Sequence, residues 1–443
     1  MKKILILLIM LFLTVPVYAK KITKDFSSVI EDSGVDIESI AVSIKEVNKG
    51  KVVYNLNEKM LMNPASVQKV LTTPVIAETL GADYKFSTEL YLRNNTNYLV
   101  KLGADPYLKA SDLKKLVSPI KDSTAKVLID DKALDEKIWG EGWQWDDDMN
   151  VLMPKFNSYN LDKNIIKLTI MPDENGGFAK IINPSKYPLV FFNNIVSGDK
   201  TDIKLSRDSS ISSNTLMLSG TVARPTIVQI PTLHLKRYFE VQFKRALEEN
   251  DLYIKDLFRS AEVIDSDKLI KSVTHNLDNA IADILKNSNN LVSETSFKLA
   301  GAKYTGQKTG SDALGIKMFN DYCKRNGLDN SRIRITDASG VSKNNLVSAD
   351  FITEFLVLNK NNKVMDYLPA PGEGTLTHRM LPIKNNLKAK TGTLSDISSI
   401  AGYVTSKTGK KYAFCIMIND IKLTNSDKKM LEDFIIREAY LRL

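Results

Sequence analysis

A run of short, alternating strands from about residue 84 to about residue 264 separates two serines, Ser66 and Ser288, that fit one piece of chemistry. It includes FSTELYLR, YLVKLG, AKVLID, NIIKLTIM, PLVFFNN and TLMLSG, with turn signals such as Asn175-Gly176-Gly177 between them. A body that uses both serines must be interrupted by this run, so its two ends return to one place. At 443 residues the chain also exceeds one ordinary core. The expected units are a discontinuous catalytic domain over 20–83 and 265–443 and a β-rich insert over 84–264. Within the insert, 173–222 reads as a smaller nested module. Before the insert, a short helix near Phe26–Ile30 and a hairpin turning at Asn48-Lys49-Gly50-Lys51 are expected.

Ser66-Val67-Gln68-Lys69 is the first chemical motif. Acyl transfer through a serine needs a base for its proton, and the chain has only three histidines, His234, His275 and His378. A lysine three residues downstream on a helix lies on the serine's own face and can meet it. Ser-x-x-Lys also starts at Ser111, Ser118, Ser123, Ser197 and Ser426, so context must choose. Pro64 precedes an apolar helical run (Val67, Val70, Leu71, Ile76) that closes at Gly81. Ser66 is thus placed in the first turn of a buried helix, where exposed N–H groups favour negative charge. Ser426 reads as an N-cap, Ser197 as a turn, and the remaining copies lie in a polar, lysine-rich stretch.

Lys390-Thr391-Gly392 lies in LKAKTGTLSDISSIAGYV, a strand, a turn and a second strand. A strand beside a serine-bearing helix can offer backbone N–H groups to a reacting carbonyl. The Lys407 copy is a hairpin turn and the Lys308 copy sits in a Gly-rich loop. Ser288-Asn289-Asn290 ends one predicted helix (LDNAIADILKNSNN) just before another (SETSFKLAG). A Ser and an Asn displayed at such a junction can bond both the helix lysine and a substrate amide. Other Ser-x-Asn copies, at Ser158, Ser212 and Ser342, lack that junction.

Lys2 and Lys3, an apolar run from Ile4 to Val15 and then Val17-Tyr18-Ala19 read as an export signal over 1–19. The run is short of the ~20 residues a bilayer span requires. Lys and Arg total 61 against 52 Asp and Glu, a net +9 that suits an anionic wall or membrane surface. Nucleic acid is a poor partner, because the chain is exported and lacks a basic stripe interleaved with aromatics. Export permits a Cys323–Cys415 disulfide, but Cys415 in KYAFCIMIND reads as a small buried hydrophobe. No metal and no cofactor are expected: the histidines show no ligand spacing and no Gly-rich phosphate loop follows a strand. The last helix, 427–443, carries an apolar stripe of Met430, Leu431, Phe434, Ile435 and Leu441. It is expected to pack on the sheet, with peripheral membrane association as the alternative.

With motif order, context and insert in place, the chain resembles the low-molecular-mass class C penicillin-binding proteins, which are D-alanyl-D-alanine carboxypeptidases and endopeptidases. The resemblance runs over essentially the whole mature chain. It includes Pro64-Ala65-Ser66 with Thr72-Thr73, Gly103-Ala104-Asp105-Pro106 and Gly142-Trp143-Gln144-Trp145-Asp146-Asp147. It continues through Asp337-Ala338-Ser339-Gly340 and Gly374-Thr375-Leu376; Ala104 and Ala338 stand where the family usually has glycine. The fold implied is an α/β (α+β) domain like that of serine β-lactamases and transpeptidases, an antiparallel sheet flanked by helices, plus the large β-rich insert.

The resemblance also implies roles. Ser66 would be the nucleophile and Lys69 its base, kept neutral by burial and by the charge of Lys390. Ser288 would pass the proton to the leaving amine, and Asn290 would hold the substrate amide. Lys390 and Thr391, beside Gly392, would receive the terminal carboxylate, and the N–H groups of Ser66 and Thr393 would form the oxyanion hole. Asp147, or alternatively the adjacent Asp146, and Arg379 would help bind the stem-peptide diaminopimelate. Peptidoglycan stem peptides are the implied substrates, β-lactams the implied covalent inhibitors, and the periplasm the implied location. A serine β-lactamase and a non-catalytic envelope binding protein on the same fold are the alternatives.

Overall fold

The computed structural model describes residues 26–207 and 214–443; the expected export signal lies outside the described residues. In chain order, α1 (Phe26–Asp32) leads into the hairpin β1 (Ile40–Glu46) and β2 (Val52–Leu56), then α2 (Gln68–Leu80). Next come β3 (Lys85–Arg93), β4 (Asn97–Leu102), α3 (Ala110–Val117), β5 (Val127–Asp130), β6 (Ile165–Met171) and β7 (Lys180–Ile182). They are followed by β8 (Val190–Ser197), β9 (Asp202–Arg207), β10 (Thr215–Val222), β11 (Thr226–Pro231) and α4 (Leu235–Glu248). After β12 (Leu257–Ser260) and β13 (Lys268–Asn276), helices resume as α5 (Leu277–Lys286), α6 (Asn290–Thr305), α7 (Asp312–Arg325) and α8 (Ala349–Leu358). The chain closes with β14 (Leu387–Thr393), β15 (Ser398–Thr405), β16 (Lys411–Ile418) and α9 (Asn425–Arg442).

The catalytic body holds a five-stranded antiparallel sheet, β14-β15-β16-β1-β2, whose inner strands β15, β16 and β1 are buried on both faces. Alternation along β16 shows why its sequence is a continuous apolar run. Tyr412, Phe414, Ile416 and Ile418 join a core with α1 and α9, whereas Ala413, Cys415 and Met417 join one with α2, α5 and α8. Both cysteines are buried free thiols. In α9, Leu431 and Ile435 pack into the first of these cores, but Met430, Phe434 and Leu441 are exposed. The expected stripe splits because neighbouring helical positions diverge by about 100°. No described helix is long and apolar enough to cross a membrane.

The insert has its own core, in which Leu116, Ile129, Leu168, Leu218, Phe239 and Phe243 are fully buried. Its largest sheet runs β12-β5-β4-β3-β13. β13 pairs with β3 from Asn276 opposite Lys85 to Lys268 opposite Leu92, and the Leu277 N–H donates to the Tyr84 carbonyl. The chain thus re-enters the catalytic body at Leu277, some residues beyond the expected boundary of 265. β13 (KLIKSVTHN) is a polar edge strand with no fully buried position, so its sequence reads as connecting chain. β8, β10 and β9 form a separate three-stranded sheet, whereas β7 pairs with β6 in the sheet β11-β6-β7. The stretch 173–222 is therefore divided between two sheets, and its Tyr187, Ile195, Leu216 and Leu218 sit in the common insert core.

Insert and catalytic body also meet in a small apolar cluster, where Trp143, Met153 and Phe156 pack on Leu291 and Val341. That cluster lies directly beside the candidate site.

Candidate active site

Ser66 stands in a 3₁₀ turn, Ala65–Val67, that feeds directly into α2. The entry is tight: Ala65 is left-handed at φ 45°, with its N–H held by Asn63 Oδ1 at 2.9 Å. Gly340 presses against this turn at φ 81°, and a Cβ there would collide with the Ala65 carbonyl oxygen. From the other side, Ser399 Oγ of β15 donates to the Pro64 carbonyl at 2.6 Å, tying sheet to serine turn. Gly392 must stay bare for the same reason, since a Cβ would sit 2.8 Å from Ser66 N.

Lys69, one turn on, is completely buried. Its Nζ donates to Ser66 Oγ at 3.0 Å, to Asn290 Oδ1 at 2.7 Å and to the Ser339 carbonyl at 2.7 Å. Burial lowers this amine to about 7, while the carboxylates of Asp337 and Glu294 oppose the shift. The sequence reading expected Lys390 to help depress Lys69. Here the repulsion between the two amines instead adds to burial in holding Lys390 well below its ordinary value.

Lys390, on β14, donates to Ser288 Oγ at 2.9 Å and to the Thr391 carbonyl at 2.7 Å. Ser288 occupies the turn between α5 and α6 in a left-handed conformation, φ 60°, and the Asn289 side chain caps α6 by accepting the Val292 N–H. Asn290 opens α6 and bridges two units: its Oδ1 takes Lys69, and its Nδ2 donates to the Leu152 carbonyl of the insert at 2.7 Å. The structure therefore brings the five residues together as two hydrogen-bonded sets, Ser66–Lys69–Asn290 and Lys390–Ser288, whose two amines are close enough to repel one another.

Thr393, at the end of β14, lines a small cavity of about 140 Å³ together with Asp147, Gln144, Asn150, Met153 and Lys343. Asp147 is thus placed beside the third motif, and Asp146 does not line this cavity. Arg379 is placed differently. Its guanidinium is engaged by Asp433 at 2.6 Å and by the buried Glu432 at 2.8 Å, both on α9. Glu432 in turn accepts Ser398 Oγ at 2.7 Å, and Ser398 pairs with Thr393, so Arg379 reaches the strand of the third motif only through intermediaries.

Two buried acids were missed as site residues in the sequence. Glu294, one turn beyond Asn290 on α6, accepts the N–H groups of Ala338 and Ser339. Burial, with Asp337 and Asp312 adding, pushes its carboxyl up to about 8. Asp337 accepts from Gly340 N, Ser342 N, Asn345 Nδ2 and the Trp143 indole N–H at 2.9 Å. Together they fix the loop whose Ser339 carbonyl takes Lys69. Asp337 could have been flagged by its motif, Asp337-Ala338-Ser339-Gly340; Glu294 had no sequence signal beyond its spacing from Asn290.

A serine whose hydroxyl meets a buried amine, beside an antiparallel sheet flanked by helices, defines a serine acyl-transfer enzyme of the penicillin-binding and β-lactamase fold. The model for the D-Ala-D-Ala carboxypeptidase 3 (S13) family matches residues 22–438, and the chain belongs to that family. It is a low-molecular-mass class C penicillin-binding protein. The chain is 24% identical over 419 residues to the D-alanyl-D-alanine carboxypeptidase DacB of Haemophilus influenzae, covering 87% of this chain and 86% of that one. It is 24% identical over 442 residues to the D-alanyl-D-alanine carboxypeptidase of Actinomadura sp. strain R39, covering 90% and 81%. The crystal structure of penicillin binding protein 4 (dacB) from Haemophilus influenzae superposes with a TM-score of 0.81 at 22% identity, over 95% of this chain and 100% of that one.

Proposed function

We propose that this serine DD-peptidase acts outside the cytoplasm, removes the terminal D-alanine from peptidoglycan stem peptides, and hydrolyses D-alanyl–diaminopimelate cross-links. The carrying observation is the 3.0 Å contact between Ser66 Oγ and an amine that burial has brought to about 7. A lysine so placed can accept a proton near neutral pH, which an ordinary lysine cannot.

Ser66 Oγ attacks the carbonyl carbon of the penultimate D-alanine as its proton passes to Lys69 Nζ. The oxyanion is received by the backbone N–H groups of Ser66 and Thr393. Collapse breaks the peptide C–N bond, and the departing nitrogen takes a proton through Ser288, whose hydroxyl bonds Lys390. The acyl-enzyme is released by water. Asn290 orients the substrate amide, and Lys390 with Thr391 and Gly392 receives the terminal carboxylate. Asp147, in the cavity shared with Thr393, suits the cationic end of a stem-peptide side chain. Arg379 contributes through Glu432 and Ser398, by fixing the end of the sheet. β-Lactams acylate the same serine.

Ser66→Ala should abolish covalent labelling by a fluorescent penicillin. Lys69→Arg, which keeps the charge but cannot deprotonate, should slow labelling by at least about 10³-fold. Continued labelling of Ser66→Ala would overturn the reading. Mass spectrometry of monomeric and cross-linked muropeptides after digestion separates carboxypeptidase from endopeptidase action, and rapid catalytic turnover of a chromogenic cephalosporin would instead favour a β-lactamase.

A further inference from the structure

A large cavity of the insert is lined by none of the candidate catalytic residues. It encloses about 610 Å³, and its walls include Lys109, Lys163, Lys167, Tyr107, Asp162 and Arg245. That volume falls in the range of small-molecule sites and far exceeds the needs of one inorganic ion. Lys109, Lys163 and Lys167 are exposed, and among the described residues none of the three is in a salt bridge. The cavity's lone carboxylate, Asp162, is committed to the wall: it accepts the Ala110 N–H at 3.1 Å and the Tyr238 hydroxyl at 2.9 Å. Arg245 is likewise turned to the wall, donating to the Ser185 carbonyl and to Gln242 Oε1. What remains open to a ligand is three ammonium groups above a floor of fixed amides and hydroxyls.

The rim is built under strain. Asp162, Lys163 and Asn164 are consecutively left-handed, at φ 52°, 59° and 58°, a conformation costly for residues other than glycine. Buried Asn164 holds the turn, donating to the Lys155 carbonyl and to Asn160 Oδ1 and accepting the Leu161 N–H. The cavity also communicates with the active site. The Tyr107 hydroxyl donates to Asp283 Oδ2 at 3.2 Å, and the same oxygen accepts Asn289 Nδ2 at 2.7 Å, the middle residue of the second motif.

We infer that this cavity is an accessory site for a carboxylate-bearing stem peptide of the peptidoglycan strand whose neighbouring peptide occupies the catalytic cleft. The inference rests on the substrate class proposed above. The ammonium groups of Lys109, Lys163 and Lys167 recognise the peptide carboxylates. Holding a second peptide of one polymer raises the effective concentration of the first at Ser66.

The test uses protein fully acylated by benzylpenicillin, so that the catalytic cleft is closed, titrated calorimetrically with a purified disaccharide-tetrapeptide. The acylated protein should bind it. The variant Lys109→Gln/Lys163→Gln/Lys167→Gln should bind at least about fivefold more weakly, with its rate of penicillin acylation within about twofold of wild type. A fragment with amidated carboxylates should bind as weakly to wild type as the acid does to the variant. Absence of binding to the acylated protein, equal binding by the variant, or equal binding of the amidated fragment each overturns the accessory site. A protein that penicillin does not acylate at all would instead refute the proposed peptidase, a separate result.

Discussion

Glu294 and Lys69 are joined through one residue: Glu294 Oε1 accepts the Ser339 N–H at 2.8 Å, and the Ser339 carbonyl accepts Lys69 Nζ at 2.7 Å. The acid shapes the base's third hydrogen bond and, through its charge, holds the base's proton more firmly. Asp337 acts in the same direction from the far side of the loop. The base therefore sits between a dry environment that strips its proton and two carboxylates that retain it.

Removing one of those carboxylates should make Lys69 easier to deprotonate. In wild type, penicillin acylation should rise with pH through about 7, as Lys69 becomes neutral. In Glu294→Gln the upper part of this limb, above about pH 7 where Glu294 begins to ionise, should move to lower pH, with a stability loss of about 1 kcal/mol from one imperfectly met backbone N–H. Acylation rates measured from pH 5 to 9 decide it; an unmoved limb would mean that Glu294 is neutral in the working enzyme.

Stability should follow the same groups. Lys69 falls from 10.5 to about 7 on folding, so between those values the unfolded chain binds more protons and stability rises with pH. Glu294 rises from 4.5 to about 8, so its contribution falls as pH climbs through that window. Lys69→Met should lose part of the wild-type gain above pH 8, on the order of 1 kcal/mol or about 2–4 °C in Tm. Thermal melts of both proteins at pH 8 and 10 provide the comparison.

Gly340 should tolerate no side chain. Its positive φ and the Ala65 carbonyl both oppose a Cβ, and a carbonyl in a tethered turn cannot retreat as a flexible side chain could. Gly340→Ala should cost about 1–3 kcal/mol and slow acylation by more than tenfold through displacement of Ser66. Denaturant melts and penicillin labelling read the two effects independently.

Arg379 offers a sharper contrast. Losing it strands the buried Glu432, so Arg379→Met should cost about 3 kcal/mol while leaving penicillin acylation within about threefold. A variant that stays stable but loses affinity for diaminopimelate-containing peptides would instead make Arg379 a direct substrate contact.

Much of the catalytic body was legible because its signals are local. Ser66 and Lys69 share one helical face, the Ser288 turn sits between two periodic segments, and Lys390 lies on an alternating strand; motif order supplied the rest. Glu294 was hidden because a buried carboxylate is spelled like a solvated one. Only folding reveals that loop 337–340 turns its N–H groups toward it. The ion partners of Arg379 were hidden for a similar reason: they lie 53 and 54 residues away, on a helix whose outward face is polar. β13 escaped as a strand because an exposed edge carries little apolar alternation.

The hydrogen bond from Leu277 to Tyr84 means that the long excursion starts and finishes at a single doorway. A guest admitted there imposes almost no loop-closure demand on its host, and its size or content can change without re-threading the hydrolase around it. Evolution could thus enlarge or trim this appendage while the serine's chemistry stayed put. The constraint lies where guest meets host: Leu152 and Trp143, which the guest lends to Asn290 and Asp337, must be kept or replaced, as must Asp135 on the buried Lys298 and Asn160 on Thr295.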